Sequence, residues 1–125
     1  MRKILRIRVL SASIAALLMF AGLPSSHAEE AKKPEDPLAK GKAIAFDQMR
    51  GNCLACHMIV GADLPGNIGP PLVGIKARYP DREKLRAQIY DSRTANPESV
   101  MPPFGAHGIL TDEDLDLVTD YIHSL

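Results

Sequence analysis

Cys53-Leu54-Ala55-Cys56-His57 places both cysteines of a 125-residue chain within one turn, with a histidine directly after them. That spacing limits what the thiols can do for a fold, because a disulfide between them would close a loop too short to restrain anything. The rest of the chain is poor in core. A domain this small buries only roughly 60 to 65% of its unfolded surface, and beyond residue 28 its aromatics are Phe46, Tyr79, Tyr90, Phe104 and Tyr121, with no Trp. Small exported domains in this position draw on disulfides or a metal. C-x-x-C-H is the attachment signature for c-type haem. Two thiols on neighbouring positions of a helical turn can add to the two vinyl groups of a porphyrin, and His57 is then held under the iron as the proximal ligand. The expected cofactor is one covalently attached haem c, held by Cys53 and Cys56, with His57 on the metal.

Two other chemistries use C-x-x-C. Zinc needs four ligands, and the chain has no second cysteine pair; His107 and His123 stand 16 residues apart. A thioredoxin-like dithiol needs strands around its helix, and no segment alternates long enough to be one. With haem, an electron carrier needs a second strong-field ligand from a distant loop. Beyond residue 28 there are Met49, Met58 and Met101. Met58 adjoins the proximal histidine, and Met49 falls on the first helical stripe, where core filling is its simplest role. Met101, in Val100-Met101-Pro102-Pro103-Phe104-Gly105, has two prolines stiffening the chain beside its sulfur. It is the expected second iron ligand. A loop methionine packed on a ring and His107 as ligand are the alternatives, and His123 in the last helical turn would meet the helix dipole.

Equal numbers of basic and acidic residues, 15 of each, conceal an asymmetry. Arg2, Lys3, Arg6 and Arg8 precede an acid-free apolar run from Val9 to Leu23, and Ser26-His27-Ala28 follows. The order is that of a secretory signal peptide over 1–28 with cleavage after Ala28. Its apolar run is short of the ~20 residues that span a bilayer as a helix, although an uncleaved anchor is the competing possibility. Removal leaves 11 basic against 15 acidic residues, a net charge near −4 that disfavours nucleic acid and suits cationic partners. The expected location is the periplasm. Residues 29–37, charged and Pro-punctuated, read as a flexible tail before a domain over 38–125.

Three helices are expected. From Leu38 to about Arg50, Gly41, Ile44, Ala45, Gln48 and Met49 share a stripe, and a glycine inside a helix suggests close approach by another backbone. Asp81 can cap a helix through about Asp91, with Leu85 and Ile89 one turn apart and the Arg and Lys residues solvated. Thr111 followed by Asp114 is a capping-box variant, with acids on the first turn, and Leu115, Val118, Tyr121, Ile122 and Leu125 make one apolar face after it. Pro and Gly forbid regular structure across 65–74 and 97–108. The fold expected is all-α, with the terminal helices packed on each other and two loops enclosing the cofactor.

A proximal histidine needs its other ring nitrogen fixed. Asn67-Ile68-Gly69-Pro70-Pro71-Leu72-Val73-Gly74 resembles the N-x-G-P-x-L-x-G loop of class I cytochromes c, in which the proline carbonyl takes that bond. The resemblance gives this role to Pro70; a purely structural Gly-Pro turn has the same geometry. More narrowly, GKAIAFDQMRGNCLACH, GNIGPPLVGIKARYPDREKLRAQIYD and NPESVMPPFG are similar to the SoxX family, the monohaem subunits of SoxAX cytochromes in bacterial thiosulfate oxidation. That resemblance implies a SoxA subunit as partner in a heterodimer, the SoxYZ carrier reached through the complex, and a soluble electron acceptor. It also implies a complex that oxidatively couples thiosulfate to a carrier cysteine, with release of two electrons. Both cysteines here are consumed by haem, so this chain has no catalytic thiol and its role is electronic. A free-standing shuttle cytochrome is the alternative, and a haem peroxidase is disfavoured by the stiff Met101 loop.

Overall fold

The computed structural model describes residues 36–125. The expected signal peptide over 1–28 and the tail up to residue 35 lie outside the described residues. The first helix, α1, spans Pro37–Phe46. It starts one residue ahead of the expected boundary, because Asp36 caps it by accepting from the Leu38 N–H at 3.1 Å and Pro37 occupies the first turn, where its missing N–H costs nothing. It ends earlier than its apolar stripe suggests. The Asp47 carboxylate accepts from the Met49 N–H at 2.8 Å, a local turn that competes with continuing the helix. Gln48 and Met49 therefore leave the stripe, and Met49 is 91% exposed rather than core.

The last helix, α4, spans Asp112–His123 and is capped as expected, with Thr111 Oγ1 accepting from the Asp114 N–H. Leu115, Val118, Tyr121 and Ile122 are all buried on one face. Each such side chain contributes roughly 1.5–3 kcal/mol of apolar burial. The face lies against α1, where Ile44 and Ala45 are also buried. Gly41 is what lets the two backbones close, since a Cβ there would collide with the Leu117 carbonyl and come within 2.8 Å of Tyr121 Cβ. Gly41→Ala is thus expected to destabilise the domain by about 1–3 kcal/mol through overpacking, despite the ~1 kcal/mol that alanine ordinarily adds to a helix. Thermal unfolding of the haem-loaded protein checks this, and an unchanged or higher Tm would show that the helices separate at no cost.

Between these helices come a short α2 (Ile75–Arg78), absent from the sequence reading, and α3 (Arg82–Tyr90), capped by Asp81 accepting from the Glu83 N–H at 2.9 Å. Leu85 and Ile89 are buried as expected. The arginines of α3 are not simply solvated. Arg82 Nε reaches Asp120 at 2.5 Å and Arg86 Nε reaches Asp116 at 2.8 Å, and Arg86 also donates to Asp112 at 3.1 Å. Arg86 and then Arg82 hold the Asp116 carboxyl below the usual carboxylate range. Pairs this exposed contribute little singly, but spaced four residues apart on both helices they fix the relative register of α3 and α4. Among the described residues there is no strand, and no helix is long and apolar enough to cross a membrane.

Candidate functional site: a cavity at the C-x-x-C-H turn

After α1, Gly51 and Asn52 turn the chain, Gly51 donating to the Ile44 carbonyl and Asn52 adopting a left-handed conformation at φ 46°. Asparagine tolerates that region better than most residues. The turn delivers Cys53–Ala55 as a 3-10 helix, and the His57 N–H closes onto the Cys53 carbonyl at 2.9 Å. Cys53, Cys56 and His57 are thereby brought to one side of a single tight turn. Burial pushes the Cys53 thiol up to about 11, so a thioether, which carries neither charge nor proton, suits that position.

The loop from Met58 to Gly74 folds back on this turn through backbone bonds from Gly66 to Leu54 (2.6 Å), Gly69 to Cys56 (2.8 Å) and Leu72 to Met58 (2.8 Å). These bonds bring the Pro70 carbonyl to 2.7 Å from His57 Nδ1. The ring donates from Nδ1, so the tautomer of the neutral imidazole selected by this bond is the one whose Nε2 lone pair can bind a metal. A side chain at Gly69 would strike the His57 ring, its Cβ coming within 2.6 Å of Nδ1, so only glycine permits the approach.

Cys53, Cys56, His57, Pro70 and Met101 all line one cavity of about 340 Å³. Its remaining wall is mainly apolar, formed by Ile75 from α2, Leu85 and Ile89 from α3, Val118 and Ile122 from α4, and Phe104 and Leu110 from the second loop. Ile68 and Val100, 70% and 82% exposed, also belong to the lining and supply apolar surface at its solvent side. The sequence reading did not single out Arg78, which lines the cavity and donates to the Pro71 carbonyl at 2.7 Å and the Val73 carbonyl at 3.3 Å, clasping the Pro70 loop. Its only signal in sequence was a cation, two residues after Lys76, between Gly74 and Pro80.

The other candidates lie elsewhere. Met49, Met58 and His107 do not line the cavity, and all three are exposed. His123 has a partner the dipole argument missed, with Nε2 3.0 Å from the Tyr79 carbonyl. That bond ties the end of α4 to the segment between α2 and α3.

Two thiols, an imidazole with one nitrogen anchored and the other available, and an apolar chamber beside them fit a planar, covalently attached metalloporphyrin. A helical domain of this kind is a haem protein of the c type. The chain belongs to the cytochrome c family, whose model matches residues 38–125. Membership implies a covalently bound haem c, and Cys53 and Cys56 stand in the C-x-x-C-H motif. The class is that of electron-transfer cytochromes. The chain is similar to one chain of the crystal structure of SoxXA from P. pantotrophus, with a TM-score of 0.63 and 25% identity over 74% of this chain and 83% of that one. It is also 37% identical over 78 residues to an uncharacterized lipoprotein of Aquifex aeolicus (strain VF5), matching 59% of this chain and 36% of that protein. The match thus spans about a third of that relative's length.

Proposed function

We propose that this chain is the monohaem, electron-transfer subunit of a periplasmic SoxAX-type complex. The observation that carries the reading is the likeness to a chain of SoxXA over most of both chains. In this reading His57 and Met101 would hold the iron, Cys53 and Cys56 would attach the porphyrin, and Pro70 is the acceptor that orients His57. Haem c supplies a one-electron couple. The chain's own residues set its surroundings. His57 Nδ1–H donates a hydrogen bond to the Pro70 carbonyl 2.7 Å away, which aligns the ring and would raise its basicity towards iron. The apolar walls from α2, α3 and α4 exclude water. A thioether ligand raises the potential relative to two imidazoles, which suits an acceptor of electrons released at a partner's sulfur site.

Thiosulfate would have no covalent foothold here, because haem attachment at Cys53 and Cys56 would consume the two cysteines of the chain and leave none to carry sulfur. The partner, SoxA, supplies that site, and SoxYZ and a soluble acceptor complete the path. The apolar surface at Ile68 and Val100 supports a covered cavity edge. Export through the segment 1–28 puts the domain in the periplasm. The purified chain alone is expected to take electrons from a small reductant and to couple no thiosulfate to SoxYZ, with coupling appearing once SoxA is added. Coupling by the isolated chain would refute the assignment. Full reduction of a terminal oxidase with no response to SoxA would identify a free-standing shuttle instead.

A further inference from the structure

Of the two fully buried polar side chains among the described residues, Thr119 makes an ordinary bond within α4, donating to the Leu115 carbonyl at 2.6 Å. Ser92 is different. It sits in a 3-10 turn, Ser92–Thr94, directly after α3, and its hydroxyl reaches across to the loop that carries Met101. Ser92 Oγ is 2.7 Å from Ser99 Oγ and 3.3 Å from the Met101 carbonyl oxygen, and the Met101 N–H donates to Ser99 Oγ at 3.3 Å. We propose that Ser92 and Ser99 are positioning residues for Met101, a clasp of two hydroxyls that holds both backbone polar groups of that residue and thereby fixes where its thioether points.

Proton counting supports the clasp. Each hydroxyl carries one proton and can accept as well as donate. The three contacts are satisfied together when the Met101 N–H donates to Ser99, the Ser99 hydroxyl to Ser92, and the Ser92 hydroxyl to the Met101 carbonyl. The ring closes with no donor left over. It is needed because Pro102 and Pro103 offer no N–H, so Met101 is the last residue before Phe104 whose backbone can donate. Ser92 is itself held firmly. Its carbonyl accepts from the Ala95 and Asn96 N–H groups at 3.2 and 3.0 Å, and Asp91 before it takes the Arg93 N–H and guanidinium. The loop is pinned to α3 a second time where the Gly105 and Ala106 N–H groups meet the Tyr90 carbonyl. The C-terminal end of α3 therefore serves as the mount for the Met101 loop.

The inference rests on Met101 being the second iron ligand, and the test separates the two. Imidazole competes with a thioether for ferric haem, so its rate of binding to the oxidised haem-loaded protein reports how readily Met101 leaves. Ser92→Ala and Ser99→Ala are expected to keep covalent haem and helix content while binding imidazole roughly tenfold faster, the factor for loss of an ordinary hydrogen bond or two. Ser99→Thr, which retains the hydroxyl, should return the rate to that of the parent. Thr119→Ala, which loosens α4 without touching the Met101 loop, should leave it unchanged. Parental rates in both alanine variants, with Met101→Ala still opening the iron, would overturn the clasp alone. An equal rise with Thr119→Ala would reduce it to general loosening and overturn it too. A Met101→Ala protein that binds imidazole no faster than the parent would remove the ligand reading, and the clasp with it.

Discussion

Replacing Cys53 and Cys56 together by alanine is expected to leave the domain without covalent haem and without a cooperative fold. The cavity they line has a volume of about 340 Å³, and Ile75, Leu85, Ile89, Val118 and Ile122 contribute to its wall while also belonging to the buried core. At the ~24 cal/mol per Å³ that cavities cost in other proteins, an empty chamber of this size corresponds to about 8 kcal/mol. That is an upper figure, because water can enter from the solvent side, yet it is comparable with the roughly 5–15 kcal/mol that stabilises an ordinary domain. The remaining contacts cannot replace it. The α1 and α4 interface is a single pair of helices, and the ion pairs between α3 and α4 are only half-buried. Far-UV circular dichroism followed through denaturant decides the matter, and a cooperative, helical, haem-free domain would sink the claim that the cofactor serves as core.

Met101→Ala is expected to have the opposite profile, with the covalent haem and the fold retained but the iron chemistry changed. The Cys53 and Cys56 attachments and the His57 to Pro70 bond lie on a different loop from Met101, so removing its side chain does not disturb them. Loss of a thioether donor should lower the potential by a sizeable part of the roughly 0.8 V that axial ligands span. It should also admit small exogenous ligands to the iron and abolish the weak red charge-transfer band of iron bound to methionine sulfur. Survival of that band would falsify the ligand assignment. Among the described residues no other methionine is placed to substitute, since Met49 is 91% exposed and Met58 41% exposed, and neither lines the cavity.

The outcomes differ because the two halves of the site depend on the fold in different ways. The C-x-x-C-H turn is local. Its geometry follows from a few consecutive residues, and for that reason it was legible from spacing alone. The Met101 loop is stiffened by its own prolines and held from outside by Tyr90 at the end of α3 and Ser92 just after it. The sequence pointed to Met101 by elimination and by its prolines, but nothing in the spacing of Ser92, Ser99 and Met101 announces a shared set of hydrogen bonds. Hydroxyls are too common in loops for their positions to carry that information.

Helix starts were similarly legible and helix ends less so. Asp81 and Thr111 cap α3 and α4 through bonds to N–H groups two or three residues ahead, which is a local interaction that sequence records well. The periodic stripe of α1 ran on to Met49, yet the Asp47 side chain captured the Met49 N–H and ended the helix. A local competitor for a backbone donor defeated a pattern that only counts apolar residues.

By itself, then, the sequence determined the chemistry of attachment and the all-helical class, because each follows from residue types at short range, and its shortage of aromatic and cysteine residues led to the expectation of a cofactor as core. It also marked Gly41 as a place of close approach. Only the tertiary structure decided which groups meet across the chain: the Arg82 and Arg86 ladder onto α4, the His123 bond to Tyr79, Arg78 clasping the Pro70 loop, and the seating of Met101 against the end of α3. The physical reason is the range of the interactions. A cap or a C-x-x-C-H turn is satisfied by neighbours within a few residues, whereas an exposed cation or a buried hydroxyl takes whichever partner packing brings to it. That partner is settled only when the apolar faces of α1, α3 and α4 have closed around the same centre.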